Sequence, residues 1–144
     1  EDRLKVLKRR VKELRLKNIN FNLNSESYDL VLCDVPCTGT GTWRRKPENI
    51  IWLQSHELKK LKLNQEEILL NAAKLCRNEG KIVYITCSLL YDENEYQVKK
   101  FLNNNKNFSL IDIKKNINKY IKKNILKYSK YGITLKPDHL VKPV

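Results

Sequence analysis

Two cysteines in this chain of 144 residues stand just past apolar runs: Cys37 in Asp34-Val35-Pro36-Cys37 and Cys87 in Thr86-Cys87-Ser88. A cysteine serves covalent catalysis when its thiolate is populated and accessible. The runs Tyr28 to Val35 and Lys81 to Ile85 read as strands, and in an open α/β sheet ligands bind outside the carboxyl ends of the strands. Two thiols delivered there can face one substrate. Cys33, inside the first run, and Cys76, on a helix face, read as plain core residues. The four cysteines lack the Cys-x-x-Cys or Cys/His spacing of a zinc site, and no Ca²⁺ loop or Gly-x-Gly-x-x-Gly fingerprint occurs, so no metal is expected. His56 and His139 read as a helix-start and a tail residue, without a partner that would make either a general base.

The elements that must position these thiols follow from periodicity. Leu4, Leu7, Val11 and Leu14 recur at helical spacing among Lys and Arg, predicting an amphipathic helix over residues 1 to about 16. Ile19, Phe21 and Leu23 alternate with Asn, a half-buried strand pattern over Asn18 to Leu23. Tyr28 to Val35 is nearly continuous in apolar residues, as in a parallel strand covered on both faces, and Pro36 ends it. A Gly-rich loop follows, then a short helix over Pro47 to Gln54. Leu58, Leu61, Gln65, Ile68, Leu69, Ala72, Leu75 and Cys76 share one face of a helix running from about His56 to Arg77, stopped by Asn78-Glu79-Gly80. Strand, helix and strand in that order make a crossover unit, so the two strands should be parallel with both cysteine motifs on one edge. Asp92 to about Asn103 reads as a helix with acidic residues favourable to its dipole, and Phe108 to Ile113 as a further strand. Lys114 to Tyr131 reads as a basic helix or an insertion of poor order, and Thr134 to Val144 as a short strand before a tail broken by proline.

Composition sets wider bounds. A chain of this length, 41% hydrophobic, can form one domain with a sizeable core. Its net charge of +13, from 29 Lys and Arg against 16 Asp and Glu, suits a polyanion such as RNA. Part of that charge belongs to Lys- and Asn-rich stretches such as Asn103 to Asn107, so the local cluster Arg44-Arg45-Lys46 beside a cysteine motif is the sharper signal. No run of about 18 apolar residues and no cleavable leader occurs, which points to a reducing, cytoplasmic setting with free thiols and no membrane.

The run Asp34-Val-Pro-Cys-Thr-Gly-Thr-Gly-Thr-Trp-Arg-Arg-Lys-Pro-Glu48, followed by Tyr84-Ile-Thr-Cys-Ser-Leu-Leu-Tyr-Asp-Glu-Asn94, closely resembles the RsmB-type RNA cytosine-5 methyltransferases. The resemblance joins two separate motifs in the right order with a helix between them. It implies a Rossmann-like α/β fold dependent on S-adenosylmethionine, and RNA, in particular ribosomal RNA, as the partner. By this resemblance Cys87 is the nucleophile and Cys37 assists breakdown of the covalent adduct. Asp34 holds the cytosine edge close to the methyl donor, and Pro36 shapes the turn beneath the base.

The chemistry suits these residue types. Carbon 5 of cytosine is a poor nucleophile, and a thiolate added at carbon 6 makes it enamine-like. An acid bonded to ring nitrogen 3 eases the addition, and a base must later remove the carbon 5 proton so that the thiol can leave. A ring carbon is reached only when the base is out of its stack, so a single-stranded or flipped cytosine is implied. Arg44, Arg45 and Lys46 are expected on phosphate rather than on a merely solvated face, and Thr38 stands where the family usually has Ser, keeping the hydroxyl. Gly39 and Gly41 either let backbone approach substrate or supply positive φ to a tight loop. Trp43 either stacks a base or packs beneath the loop. Asp34 has the alternative of capping its own turn, and Glu93-Asn94-Glu95 reads as a helix start rather than a substrate contact.

The resemblance covers roughly Leu4 to Ile113, corresponding to the second half of a catalytic domain. Residues 114–131 are then a basic insertion or helix and residues 132–144 a tail. The family's Gly-rich donor loop and ribose-binding acid do not occur before Tyr28, so a partial domain is expected, lacking the first strands and most of the donor site. Two other functions compete: a non-catalytic basic RNA-binding remnant, and a DNA cytosine-5 methyltransferase, which uses its Pro-Cys cysteine as nucleophile and leaves Cys87 unexplained.

Overall fold

The structure is a computed structural model that describes residues 2–21, 28–52, 54–112 and 127–135. Helix α1 (Arg3–Glu13) begins on Asp2, whose side chain accepts from the Leu4 amide at 3.0 Å, a standard N-cap. Strand β1 (Tyr28–Asp34) leads through a 3₁₀ turn (Thr40–Thr42) to the short α2 (Asn49–Trp52) and the long α3 (Ser55–Leu75). Strand β2 (Cys76–Ile85), a second 3₁₀ turn (Tyr91–Glu93) and α4 (Glu95–Asn104) follow. The hairpin β3 (Lys127–Tyr128) and β4 (Ile133–Thr134) closes the described part.

The predicted crossover unit is present. Strands β1 and β2 pair in parallel, with Val31 opposite Ile82, Cys33 opposite Tyr84 and Asp34 opposite Ile85. Val35 extends the pairing by donating to the Ile85 carbonyl at 3.0 Å. Alternation then decides the faces: Cys33, Val35 and Ala72 form the buried core, with Val31, Ile68, Ile82 and Tyr84 packed against it, so α3 covers one side. Cys33 is the core residue its position suggested.

Coverage of both faces is not observed. Leu30 (56% exposed), Leu32 (60%), Val83 (39%) and Ile85 (38%) line the other side of the pair, which no described element covers. The apolar side of α1 is similarly open: Val11 is buried, while Leu4, Leu7 and Leu14 are exposed.

Several local expectations need correction. Residues 18–21 carry no strand, and residues 22 and 23 lie outside the described residues. Residues 108–112 are likewise not a strand, and Ile113 is not described. The helix expected from Asp92 breaks at Asn94, whose φ of −113° and ψ of −98° separate the 3₁₀ turn from α4. Helix α3 ends at Leu75, two residues early, because the chain enters β2 at Cys76. The register slips there, with Tyr28 opposite Cys76 but Leu30 opposite Lys81, so β2 absorbs extra residues. Glu79 takes φ +64°, and a side chain on Gly80 would lie 2.8 Å from the Arg77 carbonyl oxygen and 2.9 Å from that of Tyr28. The stop signal Asn78-Glu79-Gly80 thus shapes a bulge inside β2 rather than a loop before it. Cys76, half-buried, sits at this junction rather than on a helix face. Within 114–131, residues 114–126 lie outside the described residues, and Lys127 and Tyr128 are strand rather than helix. The short strand expected from Thr134 is β4, and residues 136–144 are not described.

Candidate active site

Because β1 and β2 run in parallel and end level with each other, the loops that follow them emerge side by side. Cys37 lies three residues beyond β1 and Cys87 two beyond β2, and their Sγ atoms stand 3.2 Å apart in a thiol–thiol contact. Cys87 is exposed and Cys37 half-buried. Burial, reinforced by the hydrogen bond with Cys87, pushes the Cys37 thiol up to about 11. Cys37 therefore keeps its proton at neutral pH, and the open sulfur is that of Cys87.

The loops are fastened to each other by backbone and hydroxyl groups. The Gly41 amide donates to the Cys87 carbonyl at 2.9 Å. Thr40 Oγ1 accepts from the Leu89 amide at 2.6 Å and lies 3.2 Å from Ser88 Oγ, which is in turn 3.3 Å from Thr38 Oγ1. Asn94 donates to the Ser88 and Leu90 carbonyls and accepts from Thr86 Oγ1, closing the Cys87 loop on itself.

Gly39 has φ +68°, the left-handed region that favours glycine. Gly41 is needed for close approach, since a side chain there would meet the Cys87 carbonyl oxygen at 2.9 Å. Gly41 thus serves the union of the two loops, and Gly39 the turn of its own. Trp43 is half-buried with its Nε1 enclosed and without a hydrogen-bond partner among the described residues, so it packs beneath the loop.

Asp34 and Pro36 are exposed at the carboxyl end of β1. Asp34 falls on the uncovered face of the pair, in register with Ile85. Arg44, Arg45 and Lys46 are all exposed in the turn after the 3₁₀ segment, where the Arg45 amide donates to the Thr42 carbonyl at 2.8 Å. Among the described residues no group of three or more His, Cys, Asp or Glu side chains could hold a metal ion.

Glu93 is the residue that sequence reasoning missed. Read as a helix start, it is fully buried instead. Its Oε1 accepts from the Thr38 amide and from Gln65 Nε2, each at 3.0 Å, and its Oε2 from Thr38 Oγ1 at 2.5 Å. Its backbone carbonyl accepts from Tyr84 Oη at 2.7 Å. Burial, followed by the charge of Glu93, raises the Tyr84 phenol. The acidic pair Asp92-Glu93 is fully accounted for by a helix N-terminus, so no local signal distinguished the buried member.

The family model described as 16S rRNA methyltransferase RsmB/F matches residues 1–139, further than the motif resemblance reached. The chain is 38% identical over 86 residues to the protein named Ribosomal RNA small subunit methyltransferase B of Shewanella oneidensis, covering 59% of this chain and 20% of that one. It is 40% identical over 80 residues to the protein of the same name in Xylella fastidiosa, covering 55% and 19% respectively. The chain therefore spans about a fifth of the length of these curated relatives. Among solved structures, the crystal structure of PH0851 superposes with a TM-score of 0.63 at 32% identity over 70% of this chain and 25% of that one.

Proposed function

This chain belongs to the 16S rRNA methyltransferase RsmB/F family, and from that premise we propose that it carries the substrate-facing part of an RNA cytosine-5 methyltransferase. Its fold is the partial Rossmann-like α/β arrangement of a methyltransferase, in agreement with the superposed structure. The substrate is ribosomal RNA, met in the cytoplasm where the thiols stay reduced; among the described residues no helix is long and apolar enough to cross a membrane. The observation that carries this reading is the 3.2 Å contact between the Cys37 and Cys87 sulfurs. One pyrimidine fits against both.

Cys87, the exposed thiol, adds to carbon 6 of the flipped cytosine, and carbon 5 becomes nucleophilic as the ring loses aromaticity. Cys37 stays protonated beside it, with its thiol pushed up to about 11, and gives that proton to the departing Cys87 sulfur as the adduct breaks down, while carbon 5 loses its own proton to solvent water. Asp34 holds the edge of the base, while Pro36, Thr38 and Gly39 shape the floor beneath it. Arg44, Arg45 and Lys46 grip the phosphates on either side.

The methyl donor of this chemistry, S-adenosylmethionine, supplies an electrophilic methyl group when bound. The residues present fit only its reactive end. Asp34 and Pro36 lie open beside the thiols, but none of the four glycines of the chain precedes Tyr28, so no Gly-rich loop here takes the methionine part. Calorimetry of this chain with S-adenosylmethionine is expected to show no binding at micromolar concentration. A second reading, a basic RNA-binding remnant, is favoured by the net charge of +13, and salt-dependent RNA binding without methyl transfer would select it.

The assignment of roles is tested in the complete enzyme containing this segment, assayed with 16S rRNA and S-adenosylmethionine. Cys87→Ala removes 5-methylcytosine formation, and Cys37→Ser accumulates a covalent protein–RNA adduct visible on a denaturing gel. If the two outcomes exchange, the roles exchange. If neither substitution matters, the proposal fails.

A further inference from the structure

We propose that Glu93 is a positioning residue for the two thiols: its buried carboxyl group ties the Cys37 loop to the segment after Cys87 and so sets the distance between the sulfurs. The functional weight of this inference rests on the reading above, that both cysteines act on one base. Three observations carry it.

The first is burial without local purpose. A carboxyl group is costly to take out of water unless hydrogen bonds replace its solvation. A helix-start residue accepts from its own first turn, at the surface. The side chain of Glu93 instead accepts from Thr38, 55 positions away, and from Gln65, 28 positions away.

The second is what those donors are. Thr38 adjoins Cys37, and both its amide and its hydroxyl end on the one carboxyl group, which fixes the direction in which the chain leaves Cys37. Gln65 passes the restraint back to the strand end, since its Nε2 also donates to the Pro36 carbonyl at 2.9 Å.

The third is the anchorage of Glu93 itself. Its backbone carbonyl holds the Tyr84 hydroxyl, and Tyr84 lies on β2 three residues before Cys87. The carboxyl group is therefore fixed relative to β2, and through Thr38 it fixes the Cys37 loop to the same frame. A displacement of about 1 Å at a reacting pair is enough to cost roughly 100-fold in rate.

The test reads the sulfur separation directly, in the whole chain. Hydrogen peroxide converts the pair to a disulfide: the two thiols give up two protons and two electrons, the S–S bond forms, and peroxide is reduced to two waters. One thiol first becomes a sulfenic acid with loss of one water, and the second thiol then closes the S–S bond with loss of the other. Mass spectrometry follows the decay of the sulfenic acid to the disulfide in the wild type and in Glu93→Ala, Thr38→Val and Glu93→Gln. Glu93→Ala and Thr38→Val are expected to slow it about tenfold or more as the loops lose their common tie. Glu93→Gln stays within about threefold, because the amide oxygen still accepts from Thr38 and Gln65 while its NH₂ donates to Thr38 Oγ1. Thr38 then turns its own hydrogen to Ser88 Oγ, 3.3 Å away.

Wild-type rates in Thr38→Val and in a folded Glu93→Ala, checked by circular dichroism, overturn the inference. So does a Gln variant as slow as the Ala variant. If Glu93→Ala does not fold, the Val and Gln variants decide. The readout needs neither RNA nor methyl donor, so slowed cross-linking together with methylation indifferent to Cys87 would sink the catalytic reading and leave the role of Glu93 standing.

Discussion

Gln65 in the middle of α3 and Glu93 ahead of α4 meet at 3.0 Å with neither side chain reached by solvent. The same amide nitrogen serves the Pro36 carbonyl at 2.9 Å, so one residue of the crossover helix holds both the strand end and the buried carboxyl group. Gln65→Leu, close in volume, leaves the carbonyl unpaired and the carboxyl short of a donor. It should lower the unfolding free energy by about 1–3 kcal/mol, measured by urea denaturation. A loss below about 0.5 kcal/mol would mean that water replaces the amide without penalty.

Alkaline pH should loosen the chain through Cys37. The folded protein holds this thiol proton up to about 11, against 9.0 for an unperturbed thiol. The folded state therefore binds more protons between these values, and stability falls as pH rises. The contribution is complete below about pH 9 and gone once the folded thiol has titrated. Melting temperature followed across this window should decline less steeply in Cys37→Ser than in the wild type. Cys33 and Tyr84 are also raised by burial and titrate in both proteins, so the difference reports the loss of Cys37 together with its smaller influence on Tyr84.

The two thiols should also differ towards an alkylating agent. Iodoacetamide at about pH 8 is expected to label exposed Cys87 well before half-buried, protonated Cys37. Peptide mapping of a time course gives the order, and equal rates would contradict the division of roles proposed here.

Gly41→Ala places a methyl group 2.9 Å from the Cys87 carbonyl oxygen, where backbone rather than a flexible side chain must give way. A destabilisation of about 1–3 kcal/mol is expected. Gly132→Ala, with nothing within 4 Å, is the control and should change stability by no more than about 0.5 kcal/mol.

Replacing Arg44, Arg45 and Lys46 together by alanine should weaken RNA binding uniformly across sequences. The slope of log affinity against log salt should become shallower by about 2. An unchanged slope would identify the cluster as a solvated face.

Much of the frame was legible in order. Strong apolar runs bounded by Pro36 and by a helical repeat leave few ways to be read, and parallel pairing follows from a crossover of α3's length. Both thiols were legible too, since each follows a strand directly. Weakly patterned segments were not: Asn18 to Phe21 and Phe108 to Asp112 show alternation, yet the described structure gives neither a partner strand. Alternation supplies a face, and only a neighbour makes it a strand. The bulge at Gly80 escaped for a similar reason, because a glycine that ends a helix and one that lets two backbones touch look alike in one dimension.

Taken alone, the order of residues determined which groups are chemically able to act, two sulfurs and a run of cations, and the parallel strands that carry the sulfurs to one edge. Their hydrophobic periodicity and chain connectivity suffice for that. Tertiary structure decided that the sulfurs touch, that Cys37 holds its proton more tightly than an ordinary thiol, that Gly41 exists for the neighbouring loop, and that Glu93 is an internal tie. Each of these depends on contacts between residues tens of positions apart, and burial, hydrogen-bond satisfaction and pKa are properties of such contacts, which no local pattern encodes.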